Sequence, residues 1–156
     1  MAKEYKLSPE RLKELQEEMN YLKTVREKEV ADQYVLGYIK YELKDFHSAL
    51  GWFEKSVSDP RFVENSNWYI MECRFMLKDY AYVTENGDAM YSKVPQESKS
   101  QLSRIISESW MVLGDAQKAR KYMDLNAQEG GEPSGRADWF YRGSVLYAVE
   151  DYKGAI

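Results

Sequence analysis

The chain holds one cysteine, Cys73, and one histidine, His47. A lone cysteine excludes an internal disulfide and any cysteine-based metal cluster. His47 has no second histidine or cysteine at ligand spacing, so it reads as a surface or turn residue rather than a metal ligand or general base. Glycine and proline are scarce, 9 and 4 of 156 residues, which leaves long stretches free of helix breakers. No apolar run approaches the ~18 residues of a membrane span, and the N-terminal residues carry no signal-peptide apolar segment. No dense Lys/Arg block is present to neutralise phosphates, and the net charge is −4, which disfavours nucleic acid and anionic membrane surfaces alike. These absences point to the cytoplasm, with no cofactor and no metal expected.

Chemistry is equally hard to place. Cys73 falls midway along an expected helix and reads as a small packing residue. Glu17-Glu18 and Glu27/Glu29 read as a solvated helix face. The Gly130-Gly131 to Gly135 stretch lacks the Lys-Ser/Thr of a phosphate loop and follows no strand, so it is a connector. No nucleophile–base pair can be proposed, and the chain is expected not to be an enzyme.

What is present is aromatic: 14% of the residues, with 13 Tyr and 4 Trp, in a chain of 44% hydrophobic and 31% charged residues, about one domain by length. An internal repeat organises it. Leu43-Lys44-Asp45-Phe46 recurs as Leu77-Lys78-Asp79-Tyr80, and more loosely as Leu113-Gly114-Asp115-Ala116 and Val149-Glu150-Asp151-Tyr152. The four aspartates stand 34, 36 and 36 residues apart. Four residues after each comes Ala49, Val83, Ala119 or Ala155, and eight before each comes Gly37, Met71, Ser107 or Gly143. Such a unit is two antiparallel helices joined by a tight turn, with Asp capping the second helix and small residues where the two cross. Apolar spacing predicts helix pairs at 31–43 with 46–58, 63–77 with 80–91, 98–113 with 116–128, and 136–149 followed by a helix begun at Asp151. Asn86-Gly87 is a turn signal, so the second helix of the second pair is expected to be bent or short.

Leu36-Gly37, Asp45-Phe46-His47-Ser48-Ala49, Phe53 and Pro60 together resemble a tetratricopeptide repeat, as do Gly143 and Asp151-Tyr152-Lys153-Gly154-Ala155-Ile156. The resemblance covers residues 31–156, as about 3.5 repeats at 31–60, 61–95, 96–133 and a truncated 134–156. It implies an all-α fold: a right-handed superhelical α-solenoid of antiparallel helix pairs, whose first helices line a concave wall. Gly87 and Arg142 depart from the pattern, each in a slot that the family fills with an apolar residue.

Residues 1–30 stand outside the repeat. Ser8-Pro9-Glu10 is a helix start, and Leu12, Leu15, Met19 and Leu22 follow at the spacing of a coiled-coil seam. With no Gly or Pro between residues 10 and 36, this helix is expected to run into the first repeat helix as one rod of about 50 Å. Met1-Ala2-Lys3-Glu4-Tyr5, Leu7-Ser8-Pro9-Glu10 and Tyr21-Leu22-Lys23-Thr24-Val25-Arg26 resemble the start of Gre-type transcription elongation factors, which insert a coiled coil into RNA polymerase. The likeness stops at Ala31, before that family's acidic tip, so no catalytic residue carries over. The abrupt change suggests a chimera.

Equivalent inward positions give three rows: Tyr34, Trp68, Arg104, Phe140; Tyr38, Glu72, Glu108, Ser144; and Tyr41, Phe75, Met111, Tyr147. The expected groove is aromatic with acidic spots and one arginine, as protein-binding surfaces are. The alternative is that some rows pack between neighbouring repeats, the third above all. Where the tetratricopeptide family clamps a C-terminal carboxylate with Lys and Asn, this chain has Tyr, Trp and Glu, so an apolar or basic extended segment, or a helix, is the expected ligand. The leading expectation is a non-enzymatic scaffold with a protein or peptide partner. An engineered or structural helix fusion with no binding role, and a Gre-like polymerase binder lacking its tip, are the alternatives. An apolar edge at Trp139, Val145 and Leu146 is expected to bring self-association or a frayed end.

Overall fold

The computed structural model describes residues 8–129 and 136–154, the side chains of 136–139 and 151–154 excepted. The described residues form seven helices and no strand: α1 (Pro9–Glu42), α2 (Phe46–Ser56), α3 (Val63–Met76), α4 (Tyr80–Tyr91), α5 (Gln96–Val112), α6 (Ala116–Gln128) and α7 (Arg136–Gly154). The chain divides into two compact units, Met1–Ile70 and Met71–Ile156. No helix among the described residues is long and apolar enough to cross a membrane.

α1 is the expected rod, 34 residues without a break or about 50 Å at 1.5 Å per residue. Ser8 caps it by accepting the Arg11 N–H at 3.2 Å, and Pro9 stands where a missing N–H costs nothing.

The repeat shows itself most clearly in the turns. After α1 the Lys44 N–H donates to the Tyr41 carbonyl and the Asp45 N–H to that of Lys40, and Asp45 then accepts the Ser48 N–H to start α2. Lys78 and Asp79 do the same between α3 and α4, and Gly114 and Asp115 between α5 and α6. Each is a helix stop of the Schellman type whose last residue doubles as the next helix's cap. That geometry needs a left-handed residue just before the aspartate. Lys44, Lys78 and Gly114 take it, with φ of 61°, 65° and 87°. For the lysines this conformation costs about 1–2 kcal/mol that glycine avoids.

Asp151 departs from this pattern. α7 runs through it to Gly154, where a turn was expected.

In the first unit α2 packs on α1, and the opening turns of α3 join them. Phe53 is fully buried where α1 has Gly37; a Cβ at Gly37 would stand 3.0 Å from the ring. Ala49, four residues after the capping aspartate, is fully buried beside it in sequence register, and Ser56 and Ser66 share a buried hydrogen bond of 2.7 Å. Truncating a ring so enclosed costs about 3–5 kcal/mol.

In the second unit α4 packs on α5, α5 on α6 and α6 on α7 around Val83, Leu102, Ile106, Ala119, Met123 and Val145. α4 is unbroken at Asn86-Gly87, contrary to the turn signal: Gly87 is buried, and a Cβ on it would lie 2.7 Å from two carbons of Ile106. The glycine is there for close approach, and packing overrides the local turn preference. Arg142 likewise takes no apolar role; it donates to Asn126 at 3.2 Å, and Asn126 donates to the Ser100 carbonyl at 2.6 Å. The Ser107 hydroxyl donates to the Ala119 carbonyl at 2.6 Å and lies 2.6 Å from the Tyr141 hydroxyl, so one small residue links three helices.

Candidate protein-binding surfaces

The twelve expected groove residues fall in both units, four in the first and eight in the second. In the first unit the tyrosines of α1 meet a residue that the sequence reading passed over, Tyr69. Its ring lies 4.9 Å from those of Phe53 and Tyr41, and 5.9 Å from Tyr38. Tyr34 stacks on Phe62 at 4.9 Å and meets Phe53 edge-on at 5.7 Å, and Tyr41 also meets Phe46 edge-on at 5.9 Å. Such pairs stabilise by about 0.5–1.5 kcal/mol beyond the area they bury. Tyr34 and Tyr41 are therefore spent on packing, and Trp68 is half-buried. Tyr38 keeps an exposed ring, and the Glu42 carboxylate beside it raises its phenol above the usual value. Register could have found Tyr69, which stands ten residues before Asp79, as the buried Ile105 stands ten before Asp115.

In the second unit Glu72 is buried and hydrogen-bonds Gln101. Its neighbour Cys73 is buried too, and desolvation, with Glu72 adding to it, pushes the thiol up to about 12. Phe75 meets Tyr80 edge-on at 5.9 Å, and Met111 packs on the Ala119, Met123 and Val145 cluster. Arg104 and Glu108 form an exposed pair at 3.2 Å one turn apart on α5, an interaction of little net strength in water. Tyr141 is held by Ser107, and burial pushes its phenol up to about 12.

α7 is different. Phe140 and Tyr147 are 78% and 75% exposed, and Ser144 between them donates to the Phe140 carbonyl at 2.8 Å. At spacings of four and three the three residues share one face, while Val145 and Val149 are buried on the other. The expected apolar edge is thus corrected at Val145, which packs inside. Leu146 is exposed, and the Trp139 side chain lies outside the described residues. In the third row, then, Tyr41, Phe75 and Met111 pack, and Tyr147 does not.

The seam of α1 is open to solvent at Leu12, Met19 and Leu22. Next to it an open cleft of about 510 Å³ lies between Lys23, Arg26 and Glu27 of α1 and Asp59 and Arg61 after α2. Arg61 closes on Asp59 at 2.7 Å and donates to the Glu27 carbonyl at 3.1 Å, and Lys23 stands 4.0 Å from the Glu27 carboxylate. Among the described residues no group of three or more His, Cys, Asp or Glu could hold a metal ion. Comparison with protein-family models, with curated proteins and with solved structures finds no match to this chain.

Proposed function

We propose that the chain is a non-enzymatic protein-interaction module of the tetratricopeptide kind, a right-handed stack of helix pairs behind a long leading helix, working in the cytoplasm. The ligand is a helix or an extended apolar segment of another protein, rather than nucleic acid or a membrane. One observation carries this reading: Phe140 and Tyr147 stand three-quarters exposed on the face of α7 opposite its packed side. Large rings left in water on a rigid helix are what binding hot spots are made of, and covering each contributes about 1.5–3 kcal/mol. The recurring turns favour the repeat reading, and a Cys73 thiol held protonated by burial favours a chain without covalent chemistry.

Selecting peptides from a random library on the whole chain tests the proposal. Phe140→Ser and Tyr147→Ser should each weaken the recovered peptides by about tenfold, with unchanged helix content. Peptides indifferent to both substitutions, or no peptide at all, would refute it.

A second reading rests on α1, which joins the Gre-like residues to the first repeat helix without a break. Under it the chain is an engineered or structural helix fusion whose property is its shape, and the selection recovers nothing. A Gre-like polymerase binder lacks the acidic tip, and only direct binding of the chain to RNA polymerase would revive that idea.

A further inference from the structure

α1 carries a second apolar stripe, on the face away from α2. Gly37, Tyr34 and Tyr41 face the interior, against Phe53 and Phe46. Half a helical turn round from them run Tyr21, Val25, Lys28, Asp32, Val35 and Ile39, at alternating spacings of four and three. The four apolar members are between 43% and 68% exposed, and Leu22 and Leu36 flank them, exposed as well. The repeat register says what such a face does elsewhere. Val35, Leu36 and Ile39 correspond to Ile105, Ile106 and Ser109 of α5, all buried, with Ile106 against Gly87 of α4. Ile39 corresponds also to Val145 of α7, buried with Ala119 and Met123 of α6. In α5 and α7 this side is therefore covered by the second helix of the preceding pair; in α1 no described helix covers it.

The stripe is also self-complementary. Read from Tyr21 it runs apolar, apolar, positive, negative, apolar, apolar, and a two-fold axis at residue 30 maps it onto itself. Two antiparallel copies would set Tyr21 opposite the partner's Ile39, Val25 opposite the partner's Val35, and Lys28 opposite the partner's Asp32, twice. Leu22 would meet the partner's Leu36 beside them. Each layer joins the two kinds of heptad core position, as antiparallel coiled coils require. Neither Lys28 nor Asp32 has an ion-pair partner on its own chain among the described residues. Glu29 would meet the partner's Glu29 near the axis, a repulsion that the two crossed ion pairs offset. Since α2 packs on the opposite face, the first unit of each copy stays clear of the other.

We propose that two copies of this chain pair through α1, antiparallel, with Lys28 of each against the partner's Asp32. The contact covers about 19 residues of helix, roughly 28 Å, which suits a reversible dimer rather than an obligate one.

Sedimentation equilibrium of the whole chain over a concentration series tests this. The wild type should reach twice the mass of one chain as concentration rises. Val35→Glu with Ile39→Glu should leave a monomer of unchanged helix content, both positions being exposed. Lys28→Glu alone, or Asp32→Lys alone, makes both crossed pairs repulsive and should weaken the dimer about tenfold. Mixing those two variants should restore it as a heterodimer, since every crossed pair is then of opposite sign. A monomer at all concentrations would overturn the proposal, as would a dimer indifferent to Val35→Glu with Ile39→Glu. So would charge variants that fail to recover on mixing, which would mean a different register or a parallel pair.

Discussion

Gly87→Ala is the sharpest test of how the second unit is packed. By propensity alone it should help, because glycine inside a helix costs about 1 kcal/mol relative to alanine. The structure reverses the sign. The new Cβ would sit 2.7 Å from both Cγ1 and Cδ1 of Ile106, about 1 Å inside the ordinary carbon–carbon contact of ~3.5–4.0 Å. Ile106 cannot swing away, being fully buried between helices. Overpacking of this kind costs about 1–3 kcal/mol, so after the propensity gain the balance is a loss of up to about 2 kcal/mol, or up to roughly 8 °C in Tm. The double-mutant cycle makes the case quantitative. Ile106→Ala alone leaves a cavity and costs about 2–5 kcal/mol. On the Gly87→Ala background the same truncation removes the clash and part of the void, so the pair together should cost about 2 kcal/mol less than the sum of the two alone. Urea unfolding followed by circular dichroism measures all four corners. If Gly87→Ala raises stability by its propensity, or if the two changes simply add, α4 and α5 do not approach as described and the reasoning fails.

Three further outcomes follow from the turns and the titrating groups. Lys78→Gly should stabilise the chain by about 0.5–1 kcal/mol and Gly114→Ala destabilise it by a similar amount, since both positions are left-handed; equal effects of one sign in urea melts would contradict this. Asp45 and Asp59 are held below the usual 3.8, Asp45 by the Ser48 N–H and Asp59 by Arg61. A carboxylate lowered in the folded state contributes stability that is complete above its unfolded value and is lost as pH falls through the folded one. The urea midpoint should therefore drop as pH falls below about 4, and less so in an Asp45→Asn, Asp59→Asn variant that keeps the acceptors without the charge. Cys73, with its thiol near 12, should react with thiol reagents at neutral pH only as fast as the second unit opens, so labelling should accelerate in step with denaturant-induced unfolding.

Helix positions were legible because their signals are local. Ser8-Pro9 starts α1, the Asp45, Asp79 and Asp115 side chains start α2, α4 and α6, and the scarcity of breakers lets α1 run its full length. The small residues near the first three aspartates were legible for the same reason, and Ala49, Val83 and Ala119 are all fully buried; in the fourth unit Gly143 stands exposed with nothing packed against it, and Ala155 lies outside the described residues. The candidate surface was much less so. Tyr34, Tyr41, Phe75 and Tyr147 look alike on a helical wheel, yet the first three meet other rings and the last meets water.

By itself, then, the sequence determined an all-α chain of paired helices with their caps and register, because capping, propensity and apolar spacing act within one or two turns of backbone. Only the tertiary structure decided that Gly87 is a contact rather than a bend, that Arg142 joins a polar network, and which aromatics remain free. Each of those depends on what stands opposite a residue, and the residue opposite lies far away along the chain.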